Sequence, residues 1–348
     1  MSYGFGIVGL GLIADFHAKA IEATGKGQVV ACCSRNQEKA DAFGAKYTCQ
    51  GYTDMDEFLR HPGLEIVTLC TPSGFHLEPA LAAATAGKHL IVEKPLEITL
   101  DRCDQIIAAC EKHTVKLAGV FQSRFSDVAK VLKTTLDEGR FGRLVLGDAY
   151  VKWYRSQQYY DEGGWHGTWK LDGGGALMNQ SIHAIDLLQW FMGPVESVSA
   201  FTGTVGHERI EVEDVSVAAL HFKNGAFGVI EGTTAIYPGF LKKLEISGTQ
   251  GSAVLEEENL NVWAFADERA EDAAILEQFA ATTDSGGGAA DPGAISFQGH
   301  QRQFADFIDA LETGRSPLVD GLEARKAVEI ILAIYQSARE GRRVTLPV

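Results

Sequence analysis

The stretch that most restricts the fold is Gly9-Leu10-Gly11-Leu12-Ile13-Ala14. It stands between a short apolar run (4–10, GFGIVGL) and an amphipathic helical pattern from about residue 13 to 24. In a strand–turn–helix setting, the first glycine of G-x-G-x-x-A permits a tight turn. The second lets the backbone approach a pyrophosphate, and the alanine lets helix and strand pack closely. The helix N-terminus then faces the anion. The sequence therefore predicts a dinucleotide site with Gly9, Gly11, Leu12 and Ile13 around the phosphates.

Residues 28–138 fit that setting. Strand-like runs at 28–34, 64–70, 89–95 and 116–121 alternate with helical patterns at 36–46, 75–87, 99–113 and 124–138. Such alternation predicts a parallel sheet with helices on both faces, a Rossmann-type α/β domain over 1–122. Near Gly142 the period changes to two, with runs at 144–155, 196–205, 214–222, 225–237, 243–249, 251–257 and 260–265. A helix from about residue 179 to 191 interrupts them, and helices at 298–313 and 321–340 close the chain. This predicts an α+β domain over 123–348 with a large open, mostly antiparallel sheet. Residues 282–293 (TTDSGGGAADPG) read as a flexible loop.

The formal net charge of −15 argues against a general nucleic-acid binder. No apolar run reaches the roughly 20 residues of a membrane span, and the N-terminus lacks a basic leader. Six cysteines, all in the first third, show neither paired nor metal-ligand spacing. They read as reduced thiols of a cytoplasmic protein, and no metal is expected.

An acid at the end of the second strand would grip a ribose 2′-hydroxyl. This chain has Ser34-Arg35 there. A hydroxyl beside a guanidinium suits a 2′-phosphate, so NADP is expected ahead of NAD. Thr71-Pro72 ends another strand and is expected at the nicotinamide ribose. His76, at a helix start, faces either ligand or solvent. The run HLIVEKP ends in Glu93-Lys94-Pro95. A lysine at the ligand edge of the sheet is placed to reach a reacting oxygen. Glu93, Lys94 and Gln122 complete the expected cofactor set, and Pro95 is a candidate for a cis bond.

The second constellation is GGGALMNQSIHAIDLL (173–188). Asn179, His183 and Asp186 follow helical i, i+4, i+7 spacing and share one face. By themselves they are either a buried polar network or the wall of an active site. The three glycines are expected to let the loop pass close to cofactor or substrate.

With GLGLIA, TPSGFH (71–76), EKP (93–95) and GGGALMNQSIHAIDLL in that order, the chain resembles the Gfo/Idh/MocA family of glucose–fructose oxidoreductase-like and inositol-dehydrogenase-like enzymes. The resemblance covers essentially the whole chain. It implies NAD(P)-dependent hydride transfer at a carbinol or carbonyl carbon of a sugar, cyclitol or derivative. It also implies homodimers or homotetramers built through the C-terminal sheet. Lys94 matches the EKP lysine, and His183 matches the histidine of the D-x-G-x-H helix motif. Asn179 falls where that motif has aspartate, and an amide cannot take a proton. The proton-transfer roles therefore fall to His183 and Lys94, with Asn179 positioning. Arg124, Trp153, Arg155, Tyr159, Trp165 and Trp169 are further candidates to contact substrate. Two other classes stay open: a hydrolase or lyase using bound nicotinamide for transient oxidation, and a non-catalytic dinucleotide sensor.

Overall fold

A computed structural model describes residues 2–280 and 296–348. The expected loop at 282–293 lies outside the described residues. The described chain forms two compact units. One comprises 2–122, 170–173 and 296–328; the other comprises 123–169, 174–280 and 329–348. Residues 170–173 and 296–328, which the sequence groups with the C-terminal domain (123–348), thus belong to the first unit.

The first unit opens with β1 (Tyr3–Val8), α1 (Leu12–Ala23), β2 (Gly27–Cys33), α2 (Gln37–Tyr47) and β3 (Gln50–Tyr52). It continues with α3 (Met55–Leu59), β4 (Ile66–Leu69), α4 (Leu77–Thr85), β5 (His89–Val92), α5 (Leu100–Lys112) and β6 (Leu117–Gly119). The six strands run in the order β3-β2-β1-β4-β5-β6, every neighbouring pair parallel. That is the dinucleotide-binding order. Helix starts are fixed locally. Asn36, Asp54 and Thr99 each accept the backbone N–H three residues on, which satisfies one orphan donor of each first turn. Past α4, Gly87 takes φ +72°, the left-handed value expected of a glycine ending a helix.

The second unit holds α6 (Asp127–Asp137), β7 (Leu144–Lys152), α7 (Gln157–Gly163), a π-turn (Ala176–Ser181) and α8 (Ile182–Met192). Then come β8 (Val195–Gly203), β9 (Val215–Phe222), β10 (Phe227–Thr233), β11 (Lys243–Gly248), β12 (Gly251–Glu256), β13 (Asn259–Phe265) and α9 (Ala270–Gln278). The remaining elements are α10 (Gln298–Thr313), α11 (Gly321–Glu340) and β14 (Val344–Thr345). The eight-stranded sheet runs β13-β12-β11-β7-β10-β9-β8-β14. It is antiparallel except where β10 pairs with β7.

Helix α10 belongs to the first unit because its apolar stripe is needed there. Phe304, Phe307 and Ile308 are buried in one cluster with Phe5, Ile7, Ala14, Ala18 and Ile21. In the second unit, burial alternates along β9 and β12, as period-two patterning requires. The inner face of that sheet meets the π-turn and α8. A Cβ on Gly232 would press on Leu177 and Ser181, and one on Gly147 would press on Met192.

Candidate active site

The expected cofactor residues of the first unit lie at one edge of its sheet. Gly9 and Gly11 follow β1, Ser34-Arg35 follow β2, Thr71-Pro72 follow β4 and Glu93-Lys94 follow β5. Gly9 has φ +89°, and a Cβ there would lie 2.7 Å from the Thr71 nitrogen. A Cβ on Gly11 would meet nothing within 4 Å. Leu12 is 62% exposed, whereas Ala14 is fully buried. An open cradle at the start of α1, closed behind by a helix packed on its strand, fits a pyrophosphate. Ile13 is half-buried beside it. The Arg35 guanidinium lies 5.6 Å from the centre of the Phe75 ring. Gln122 opens a 3-10 turn after β6 and packs its stem where Gly299 leaves room.

His76 has a different job from either sequence expectation. It is fully buried, and its ring nitrogens lie 2.9 Å from the Pro95 carbonyl and 3.0 Å from the Thr71 carbonyl. It ties the Thr71 loop to the Lys94-Pro95 turn, where the peptide bond is cis.

Glu93 likewise turns inward, away from the cofactor-binding role expected of it. Oε1 lies 2.7 Å from His17 Nε2, and Oε2 accepts the Lys94 N–H at 3.0 Å. His17 Nδ1 is 2.7 Å from the Thr68 hydroxyl. His300, from α10, places Nε2 3.7 Å from the same Glu93 oxygen. Burial alone would raise the Glu93 carboxyl, but the hydrogen bond from His17 and the nearby His300 imidazole outweigh burial and hold it well below the usual range. Burial lowers His17. A carboxylate only accepts, so Nε2 of a neutral His17 donates to Glu93 and Nδ1 accepts from Thr68. Among the described residues, His17, Glu93 and His300 are the one group of such side chains close enough to share an ion, within 4.8 Å. The 2.7 Å contact is a hydrogen bond, and the cluster is a buried network behind Lys94. Sequence reasoning missed His17 and His300. The available signal was the buried spacing Ala14, His17, Ala18, Ile21 on α1.

In the second unit, Asn179 sits in the π-turn and His183 in the first turn of α8, both half-buried. Asp186 is fully buried. It takes two bonds from Arg124, Nε at 2.8 Å and Nη2 at 2.6 Å. Arg124 is 1% exposed and lies over Trp190. Its guanidinium is paired with Asp186, and the expected contact with substrate gives way to a structural pair. Trp153, Arg155 and Tyr159 pack together, with the guanidinium 5.3 Å from the Trp153 ring centre and 5.7 Å from that of Tyr159. Tyr159 stacks on His166 at 4.4 Å, and Trp165 packs on that imidazole too, at 4.1 Å. The Tyr159 hydroxyl accepts from Gln180 of the π-turn at 3.3 Å. Trp169, 43% exposed, meets Tyr335 edge-on.

The glycines of the GGG loop pass close to protein. A Cβ would lie 2.4 Å from Ile98 at Gly173, 2.2 Å from the Tyr335 hydroxyl at Gly174 and 1.7 Å from the Glu213 carbonyl at Gly175.

Residues 3–121 match the family model described as an oxidoreductase family with an NAD-binding Rossmann fold. Residues 130–254 match the GFO/IDH/MocA C-terminal domain. The chain belongs to the GFO/IDH/MocA oxidoreductase family. It is thus an NAD-binding oxidoreductase, as the sequence resemblance implies. The WlbA dehydrogenase of Bordetella pertussis, solved with NADH and UDP-GlcNAcA, is 33% identical, with a TM-score of 0.89 and 100% of both chains covered. The myo-inositol 2-dehydrogenase of Thermotoga maritima is 26% identical over 98% of each chain. The D-glucoside 3-dehydrogenase of Escherichia coli is 25% identical over 98% of this chain and 96% of its own. No helix among the described residues is long and apolar enough to cross a membrane.

Proposed function

We propose that this oxidoreductase oxidises a carbinol carbon of a sugar, cyclitol or sugar derivative, or reduces the corresponding carbonyl. The observation that carries the reading is Lys94, held at the ligand edge of the Rossmann sheet by the buried Glu93 behind it. Relatives named for inositol and glucoside, and one solved with UDP-GlcNAcA, support the carbohydrate class.

A bound nicotinamide would supply the hydride acceptor. Gly9, Gly11, Leu12 and Ile13 hold the pyrophosphate, and Thr71 and Pro72 line the nicotinamide side. His183 takes the hydroxyl proton as the C–H hydride leaves, giving a carbonyl and an imidazolium; a histidine is the side chain most suited to exchange a proton near neutral pH. Lys94 holds the reacting oxygen and polarises the carbonyl in the reverse direction. Asn179 positions through hydrogen bonds. Trp153, Tyr159, Trp165 and Trp169 supply aromatic surface for a ring, and Arg155 supplies a cation beside Trp153 and Tyr159.

Ser34 and Arg35, with no acid after β2, support a preference for NADP over NAD. A homo-oligomer through the open face of the second sheet is part of the same reading. On that face Phe201 pairs with Val217, Ala219 with Val229, and His221 with Phe227. Phe201 is 85% and Phe227 60% exposed. Free cysteines support a cytoplasmic setting.

The test is a sugar and cyclitol panel with NAD and NADP, following nicotinamide absorbance and product. Lys94→Ala should lower kcat by about two or more orders of magnitude. Near-normal kcat in that variant overturns the assignment, and at least tenfold better kcat/KM with NAD overturns the NADP preference. Turnover without net nicotinamide reduction would point instead to transient oxidation by retained cofactor.

A further inference from the structure

The GGG loop and the π-turn are held by one residue from a distant part of the chain. Glu213, just before β9, captures three successive backbone N–H groups. Its Oε2 accepts from Gly175 at 2.9 Å, its carbonyl from Ala176 at 3.1 Å and its Oε1 from Leu177 at 2.9 Å. From α11, the Tyr335 hydroxyl donates to the same Oε1 at 2.9 Å. The glycines are required by this arrangement, since a side chain on Gly175 would collide with the Glu213 carbonyl and one on Gly174 with Tyr335.

A helical segment begins with N–H groups that have no partner within it. A carboxylate among them also meets the positive end of the backbone dipoles. Glu213 meets both needs where the chain takes the rare π conformation. Single π-turns recur at functional sites because they re-aim the side chains that follow. Here the turn carries Asn179 and runs directly into α8 with His183.

We propose that Glu213 is a positioning residue for the reaction: it fixes the entry of the π-turn and thereby aims Asn179 and His183 at the substrate. The proposal rests on the assignment of proton transfer to His183. Glu213 acts through the three backbone N–H groups it holds. Burial raises its carboxyl to about 7 even against these donors, so the arrangement is held at a cost that a purely apolar core position would not carry.

The test is Glu213→Gln in the full chain, with Tyr335→Phe as the gentler partner. An amide keeps one acceptor oxygen but places an NH2 against an N–H donor. Hydrogen exchange at Gly175, Ala176 and Leu177 should accelerate at least tenfold. The carbon NMR titration midpoint of the His183 imidazole should move. On any substrate found active, kcat should fall at least tenfold while the Kd for NAD stays within twofold. Tyr335→Phe should shift the same readouts in the same direction, by less. Unchanged exchange and an unchanged His183 midpoint in folded Glu213→Gln overturn the proposal. If Glu213→Gln does not fold, the same null result in Tyr335→Phe overturns it. Absence of turnover in the parent enzyme defeats the proposed function instead, and leaves the exchange and His183 readouts to decide this proposal.

Discussion

Glu93 Oε1 lies 2.7 Å from His17 Nε2, while the other oxygen of the same carboxylate holds the Lys94 backbone N–H. A hydrogen bond to a buried charged acceptor is worth about 1.5–3 kcal/mol. His17→Leu should therefore lower unfolding stability by about 2 kcal/mol, measured by urea denaturation. A change under about 0.5 kcal/mol would show that Glu93 does not depend on this donor. The pair also sets a pH trend. Both groups have folded pKa values below their ordinary ones. A depressed His17 disfavours the fold once the unfolded chain binds a proton, from about pH 6.5 downward. A depressed Glu93 adds stability above about pH 4.5 that is lost as pH falls through its folded value. The parent should thus lose stability on acidification below about pH 6.5 more steeply than His17→Leu.

The second buried pair, Arg124–Asp186, gives a sharper contrast. Removing one partner strands a charge in the interior and costs about 3–5 kcal/mol, whereas an apolar replacement of both is often neutral. Asp186→Ala should destabilise by that amount, and Arg124→Met with Asp186→Leu should recover most of it. Thermal and urea unfolding of the single and double variants check this. A double variant as weak as the single one would mean that the pair contributes beyond its mutual neutralisation.

Local chemistry made the Rossmann half legible. The glycine turn, the alternation of strand and helix and the caps at Asn36 and Thr99 each act within a few residues. The inward turn of Glu93 was hidden because its partner His17 is 76 residues away. Arg124 read as a substrate contact for the same reason, since Asp186 lies 62 residues on. The π-turn was hidden too: apolar spacing over 176–188 suits an α-helix, and the carboxylate that holds the turn at Leu177 lies 36 residues downstream. Lys94 and His183 stood out in the sequence because each sits in a short motif of its own.

Two glycines of similar appearance should behave oppositely. Gly11→Ala places a methyl group in open space, so thermal stability should stay within about 1 °C of the parent. Its cost should fall on the cofactor: a Kd for NAD raised tenfold or more, about 1.4 kcal/mol. Gly175→Ala drives a methyl group to 1.7 Å from the Glu213 carbonyl, a clash with backbone that has no rotamer to escape into. It should lower stability by about 2 kcal/mol or more while leaving the Kd for NAD of the folded fraction unchanged. Calorimetry and NAD titration of both variants separate the two roles. Weakened NAD binding in folded Gly175→Ala, or a large stability loss in Gly11→Ala, would reverse the assignments.

Glu213 predicts a pH trend opposite to that of Glu93. Burial raises its folded carboxyl from 4.5 to about 7, and the titratable group facing it is the Tyr335 phenol. The folded chain therefore binds this proton more tightly than the unfolded chain. The contribution is fully present below about pH 4.5 and is lost as pH rises through about 7. A shift of that size amounts to about 3 kcal/mol. Glu213→Gln removes the titration, so the stability difference between variant and parent should drift in favour of the variant between about pH 4.5 and 7, and level off above about 7.5. Melting temperatures of both proteins across that range measure the drift directly. A constant difference from about pH 4.5 to 8 would mean that the Glu213 carboxyl titrates alike in the folded and unfolded chain.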